Sequence, residues 1–222
     1  KYLKILGTKN IKFAGNLKYY GEKKYKKNKN LIKKFKNKEI WCAASTHENE
    51  ELLIGKVHKN IKLIKENLIT IIIPRHINRS NIIINDLKNI GLNTITRSSS
   101  EKIKKDTDIY LVDTYGEASM FYELSNITFL GGSIINHGGQ NPLEPARSGN
   151  YILHGPNIQN FKEVYKLLKN LNISTQVNNV LKMQKTIVKK IGYKQSRGLN
   201  QKLFSIGEKI IKKNIFEINK YI

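Results

Sequence analysis

Cysteine is nearly absent: Cys42 is the one thiol in 222 residues, so no disulfide can form within the chain. Its neighbours Ile40, Trp41, Ala43 and Ala44 are apolar, which reads as a buried strand with the thiol acting as a small core hydrophobe. A single thiol is consistent with a reducing compartment. Long apolar runs are missing as well. Nothing approaches the ~18 consecutive apolar residues of a bilayer span, and residues 1–20 lack the apolar stretch of a secretory signal. There is no His-Glu-x-x-His pattern and no second cysteine, so no bound metal is expected. There is no Gly-x-Ser-x-Gly elbow and no Gly-Lys-Ser/Thr loop, which argues against hydrolase and nucleoside-triphosphatase chemistry.

Acids and arginine are also scarce. Lys and Arg number 40 against 17 Asp and Glu, a formal charge of +23 that invites a nucleic-acid reading. Nearly all of the excess is lysine, spread along the whole chain and accompanied by heavy use of Ile and Asn. Those residues share A- and T-rich codons, so coding composition accounts for the charge. Arginine, the residue suited to planar contacts with bases and phosphates, is rare. No nucleic-acid partner is therefore expected, and attraction to an anionic membrane surface or an acidic lipid is the better use of the charge.

The length fits one large domain, or one domain with attached arms. The first residue is Lys1 rather than Met, so the sequence is expected to be part of a longer reading frame. Residues 1–38 read as a basic inter-domain segment. Gly7, Gly15 and Gly21 punctuate it, and Lys23–Lys38 reads as a solvated face or linker. From Glu39 to residue 195 the texture is that of a Rossmann-like domain. Strands are predicted at Ile40–Ala44, Leu68–Ile73, Thr94–Arg97, Asp108–Val112, Ile127–Leu130, Tyr151–His154 and Thr175–Val177. Helices are predicted between them, with Leu52, Leu53, Val57, Ile61 and Ile64 on one apolar face of the first. Ser45 and Thr46, each followed three residues on by Glu48 or Asn49, read as its start signature. The others are placed at Ile82–Ile90, Glu117–Leu124, Pro142 to about Ser148, Phe161–Leu168 and Val180–Ile191. Residues 196–222 form a C-terminal helix whose Leu203, Phe204, Ile210, Ile211 and Ile218 make an apolar side expected to face a further domain. Strands alternating with amphipathic helices imply an α/β fold, a doubly wound parallel sheet covered on both faces.

In such sheets ligands bind beyond the carboxyl ends of the strands. Polar residues and glycines gather there: Ser45-Thr46-His47, Arg75-His76, Asp113-Thr114 and Gly131-Gly132-Ser133. The densest segment is Gly138-Gly-Gln-Asn-Pro-Leu-Glu-Pro-Ala146. Asn141 fits an N-cap, Pro142 the first helical position and Glu144 the first turn. Read alone, this is a capping arrangement without a ligand. Preceded by Gly131-Gly132 and Gly138-Gly139, it reads as an anion site with a carboxylate placed for ribose hydroxyls, which suits a sugar nucleotide. Thr114 and Glu117 are open to two readings, a capping box or groups lining the same cleft. Arg75, His76 and Arg79 form the densest cationic cluster built with arginine, placed to neutralise a phosphate or to sit on the surface.

Together these motifs resemble the 3-deoxy-D-manno-octulosonic acid (Kdo) transferases, lipid A glycosyltransferases of Gram-negative bacteria. The matching stretches are Gly15-Asn-Leu-Lys18, Trp41-Cys-Ala-Ala-Ser-Thr-His-Glu48, Pro74-Arg-His76, Val112-Asp-Thr114 with Gly116-Glu117, Gly131-Gly-Ser133, Gly138–Ala146 and Gly155-Pro156. They occur in family order over roughly residues 5–165. The resemblance implies the C-terminal, donor-binding half of a GT-B glycosyltransferase that holds CMP-Kdo. It implies Asn141 and Glu144 at the nucleotide, and Ser45, Thr46, Arg75, Gly116, Glu117 and Ser133 around phosphate and sugar. His47, His76, Asp113, Thr114, Gly132 and Gly139 complete the candidate site. It also implies an inverting reaction, with no cofactor and no divalent metal, at the cytoplasmic face of the inner membrane. The general base, the lipid A acceptor site and the membrane anchor belong to an N-terminal domain in the family, in the same reading frame or on a partner chain. These 222 residues are thus expected to supply no catalytic base and to transfer nothing alone. Two positions depart from the family: Gln140 stands where many members have His, and Tyr115 where Met or a smaller apolar residue is expected. Another GT-B sugar-nucleotide enzyme and a basic nucleic-acid-binding module are the alternatives.

Overall fold

The computed structural model describes residues 5–9, 11–12, 14–19 and 28–220. Seven strands form one sheet, all paired in parallel: β1 (Glu39–Thr46), β2 (Leu68–Pro74), β3 (Thr94–Thr96), β4 (Ile109–Leu111), β5 (Ile127–Leu130), β6 (Tyr151–His154) and β7 (Ser174–Gln176). Their order is β3-β4-β2-β1-β5-β6-β7. β2 shows why the sheet lies in the middle. Every residue of Leu-Ile-Thr-Ile-Ile-Ile-Pro is buried, as a β-branched run must be when helices cover both faces.

The pleat divides the core in two. Cys42, Ala44, Ile69, Ile71, Tyr110, Val112 and Ile152 point to one face, and Trp41, Ala43, Leu68, Ile72, Leu111, Phe129 and Leu153 to the other. The first face is covered by α1 (Lys29–Lys34), α4 (Ala118–Leu124), α5 (Leu143–Arg147), α6 (Lys162–Asn170) and α8 (Arg197–Ile218). The second is covered by α2 (Glu50–Lys62), α3 (Ser80–Asn89) and α7 (Val180–Lys190). The doubly wound α/β expectation therefore holds. Gly91 takes a positive φ of 75° two residues past the end of α3, as glycines that stop helices do.

Two expectations need correction. Of the lysine-rich run Lys23–Lys38, residues 23–27 lie outside the described residues, as does Gly21. Residues 29–35 are not a solvated linker. Asn28 caps α1 by accepting from the Leu31 amide at 3.0 Å, and Leu31 and Phe35 are buried. Phe35 meets the Tyr110 ring edge-on at 5.0 Å. Two apolar residues four apart anchor this helix, and its lysines cover the outside.

The apolar side of α8 also finds partners in this domain. Leu203 is 1% exposed in the core. Gly207 lets the helix press onto the Tyr19 backbone, where an added Cβ would lie 2.2 Å from the Tyr19 carbonyl oxygen. Arg147 donates to that carbonyl, and Ile210 packs against Gly15. Only the far end, with Ile215, Phe216 and Ile218, leaves large apolar side chains in solvent.

Candidate functional site

The chain winds from β1 towards β2 in one direction, and from β5 to β6 and β7 in the other. The crevice of a doubly wound sheet opens where the winding reverses, here between the carboxyl ends of β1 and β5. β1 ends irregularly. Its register skips between Ala44 and Thr46, and Ser45 adopts a left-handed φ of 54°. The Ser45 carbonyl turns towards Gly131, where a Cβ would stand 2.3 Å from the Ser45 oxygen.

Two adjacent carboxylates lie beneath this crossing. Glu50, 1% exposed, accepts from the amides of His47 (3.1 Å), Gly132 (2.7 Å), Ser133 (3.2 Å) and Ile134 (3.1 Å). It opens α2, so the positive end of that helix adds to its stabilisation. Glu51, 3% exposed, accepts from the Thr46 hydroxyl at 2.9 Å and from Arg79 at 2.9 and 3.4 Å. The Gly131–Ser133 turn was expected to aim amides at a ligand; instead the Gly132 and Ser133 amides close around the protein's own Glu50, and the Gly131 amide donates to the Ala44 carbonyl. The start signature at Ser45 and Thr46 is likewise not used: α2 begins at Glu50, behind Asn49 in a left-handed conformation. Ser133 is fully buried. Its hydroxyl donates to the Leu130 carbonyl and accepts from the Gly155 amide at 2.7 Å, so it ties the β5 and β6 loops together. Thr46 and Ser133 thus act inside the scaffold.

Above this layer the groups are open. Arg75 and His76 are exposed, and the Arg75 guanidinium has no partner among the described residues. Three imidazoles meet here: His47 lies 4.3 Å from His137 and 6.2 Å from His76, centroid to centroid. His47 Nδ1 donates to the Ser45 carbonyl at 3.0 Å, which fixes the tautomer and leaves Nε2 as a buried lone pair with no partner among the described residues. Burial, then the neighbouring His137, holds the His47 pKa below the ordinary histidine value. The neutral ring therefore keeps a buried acceptor beside the crevice. Sequence reasoning passed over His137, Glu50 and Glu51. A histidine between two glycine clusters and a Glu-Glu pair opening a helix were the available signals.

The second glycine cluster joins the first, since the Gly139 amide donates to the Gly132 carbonyl at 2.8 Å. Gly139 has a φ of 75° and passes close to residue 157, where a Cβ would be 3.1 Å from the Asn157 oxygen. Asn141 then accepts from the Leu143 amide at 3.1 Å, Pro142 holds the N-cap position, and Glu144 stands exposed in the first turn of α5. The helix thus starts one residue later than expected, and Asn141 stands just before the N-cap, in an Asx-turn.

At the end of β4 the polar groups pair with one another. Arg97 forks onto Glu117 at 2.9 and 3.1 Å, and Thr114 donates to the same carboxylate. Burial alone would raise the Glu117 carboxyl, but hydrogen bonds from Arg97 and Thr114 outweigh it and hold it below the usual carboxylate range. Asp113 accepts from the Ser98 amide at 2.9 Å and from its hydroxyl. The capping box does not form: α4 starts at Ala118, with Glu117 just before it and turned to Arg97. Gly116 (φ 78°) and Tyr115 remain exposed beside these pairs. The structure thus gathers Ser45, His47, Arg75, His76, Gly132, Gly139, Asn141 and Glu144 around the β1–β5 crevice. It sets Asp113, Thr114, Gly116 and Glu117 at the end of β4, beyond β2. Among the described residues no group of His, Cys, Asp or Glu is placed to hold a metal ion.

A parallel sheet with this switch point defines a Rossmann-like, doubly wound domain, the architecture of the C-terminal half of a GT-B glycosyltransferase. Comparison with known proteins narrows the class. No protein-family model matches the chain. It is 30% identical to the 3-deoxy-D-manno-octulosonic acid transferase of Haemophilus influenzae over 213 residues, which is 92% of this chain and 48% of that protein. It is 32% identical to the same enzyme of Rickettsia prowazekii over 177 residues, 78% of this chain and 38% of the relative. Among solved structures it resembles the C-terminal CMP-Kdo binding domain of WaaA from Acinetobacter baumannii. That likeness has a TM-score of 0.65 and 25% identity, and covers 80% of this chain and 91% of that one. The chain is thus similar to Kdo transferases and spans less than half the length of these two relatives. Among the described residues no helix is long and apolar enough to cross a membrane.

Proposed function

We propose that the crevice between β1 and β5 binds CMP-Kdo, and that the chain is the donor half of an inverting Kdo transferase acting on a lipid A precursor. The observation that carries this reading is Arg75. Arg79 and Arg97 are held by Glu51 and Glu117, whereas the Arg75 guanidinium points out at the switch point with no partner among the described residues. Always charged, it is suited to a phosphate diester and to the CMP that leaves. Glu144 and Asn141, at the start of α5, are placed for the ribose hydroxyls. In the reaction an acceptor hydroxyl attacks the anomeric carbon from the face opposite CMP. The new carbon–oxygen bond forms as the bond to phosphate breaks, and CMP departs with the electron pair. Arg75 stabilises the charge that gathers on the phosphate. No cofactor and no divalent metal takes part in this scheme.

The base that removes the acceptor proton, and the lipid acceptor site, belong to an acceptor domain in this reading. The 222 residues alone bind the donor and transfer nothing. The complete enzyme works peripherally at the cytoplasmic face of the inner membrane. The test is calorimetric titration of CMP into the chain and into Glu144→Ala. Loss of a hydrogen bond to a charged group, worth about 1.5–3 kcal/mol, weakens binding by about tenfold or more. Equal titrations would remove Glu144 from the site, tighter binding of UDP than CMP would point to a different donor, and Kdo transfer by the purified chain would contradict its inactivity.

A further inference from the structure

The loop from β6 to α6, residues 155–161, grips the glycine-rich segment that leads to Asn141. The Asn157 amide donates to the Ser133 carbonyl at 2.9 Å, and its side-chain nitrogen to the Ile134 carbonyl at 3.0 Å. The Asn160 amide donates to the Gly138 carbonyl at 3.1 Å. Gly138, with a φ of 90°, lies so near that an added Cβ would stand 2.4 Å from the Asn160 side-chain nitrogen. The glycine pair at 138 and 139 therefore makes room for this loop. It also gives the segment backbone freedom that something must restrain before Asn141.

Tyr165, in α6, holds that stretch: its hydroxyl donates to the Gln140 carbonyl at 3.0 Å. The ring is 2% exposed and lies 4.4 Å from His154, centroid to centroid, in the core that also contains Leu143. Burial pushes the phenol above its ordinary pKa, so it stays protonated and donates at neutral pH. Filling this space needs only the ring, and phenylalanine would do so with no polar atom to satisfy. The hydroxyl is what reaches the segment. The Gln140 carbonyl and the Asn141 amide share one planar peptide unit, so holding the oxygen fixes the plane from which Asn141 departs. Asn141 in turn accepts from the Leu143 amide, and Glu144 follows in the first turn of α5. One hydrogen bond from a packed helix thus bears on where the exposed carboxylate stands.

Given that the β1–β5 crevice takes CMP, as proposed above, we propose that Tyr165 is a positioning residue of that site: it touches no ligand, and its hydroxyl holds Glu144 in place for the ribose. The test uses the full 222-residue chain, with CMP as the probe in calorimetry. Tyr165→Phe keeps the ring, removes one hydrogen bond to a carbonyl and weakens CMP binding by about threefold to tenfold. Tyr151→Phe is the matched control. It also loses one phenolic hydrogen bond, shared with Thr175 at 2.7 Å, and leaves CMP affinity unchanged. In a double-mutant cycle, Tyr165→Phe added to Glu144→Ala costs no more than about a further twofold, because the group it positions is gone. In the unliganded chain, hydrogen exchange at the Leu143 amide is about fivefold faster in Tyr165→Phe and unchanged in Tyr151→Phe. Three results would overturn the positioning role while CMP binding by the wild type stands. They are a Tyr165→Phe chain with wild-type affinity and exchange, equal losses of affinity from the two Tyr→Phe variants, and an undiminished loss in the Glu144→Ala background. No CMP binding by the wild-type chain would instead overturn the donor reading, and this role with it.

Discussion

The two edges of the sheet treat polar side chains differently. At the amino edge they close on one another. His58, fully buried in α2, accepts from the Thr70 hydroxyl at 2.8 Å and donates to Asp108 at 3.3 Å, while Lys62 reaches the same carboxylate at 2.7 Å. Asn150, also fully buried, accepts from Ser125 and Thr128 and donates to the Tyr122 carbonyl at 2.7 Å. The carboxyl edge has a closed floor of the same kind, built on Glu50 and Glu51. Over that floor lie Arg75, His76, His137 and Glu144, which stand in solvent. One edge spends its polar groups on the fold; the other spends half of them and presents the rest.

The largest expected effect is at the amino edge. Asp108→Ala takes from His58 its acceptor and leaves Lys62 only the Thr107 carbonyl, and each hydrogen bond lost to this charged group costs about 1.5–3 kcal/mol. Urea unfolding measures the loss, and CMP affinity of the folded protein stays unchanged. This edge also sets the acid limb of stability. Burial alone would raise the Asp108 carboxyl, but hydrogen bonds from His58, Lys62 and the Asn93 amide hold it well below the usual carboxylate range. A depressed carboxylate contributes fully above its unfolded pKa of about 3.9 and loses that contribution as pH falls through the folded value. His58, held below the histidine range by burial, removes stability from about pH 6.5 downwards because the unfolded chain takes up the proton first. Stability therefore falls as pH is lowered in both windows. Replacing Asp108 by Asn flattens the portion below about pH 4.

Glu50 sharpens the comparison because it belongs to both categories. Glu50→Gln replaces the acceptor of four amides with a group that can satisfy only part of them, at about 1–3 kcal/mol of stability. It also loosens the turn that carries Gly132 and, through the Gly139 amide, the segment leading to Asn141. Urea unfolding and CMP titration should both move. A change in stability with CMP affinity intact would make the floor purely structural.

Much of this plan was legible in the residues. Leu68–Ile73 and Ile127–Leu130 are apolar runs too short for helices and bounded by turn signals, so their burial followed from composition. The location of the crevice followed from polar residues at four strand ends. Two kinds of feature were hidden. Leu31 and Phe35 anchor α1 inside a lysine run, where average polarity masks two buried positions. Glu50 and Glu51 look like a solvated first turn, because the four amides that justify burying Glu50 come mostly from a loop more than eighty residues away. Long-range acceptors of that kind leave no local trace, and for the same reason Ser133 read as a ligand contact when its partners are Leu130 and Gly155.

The smallest effect on the fold and a large one on the ligand meet at Arg75, which makes it the most direct test. Arg75→Ala removes an exposed side chain with no partner among the described residues, so stability should change by no more than about 0.5 kcal/mol. If the carboxyl edge presents its groups to the donor, calorimetric titration of CMP into this variant will show affinity reduced by about tenfold or more, the value of a charge-assisted contact to phosphate. CMP binding equal to that of the wild type, with the fold intact, would contradict the account.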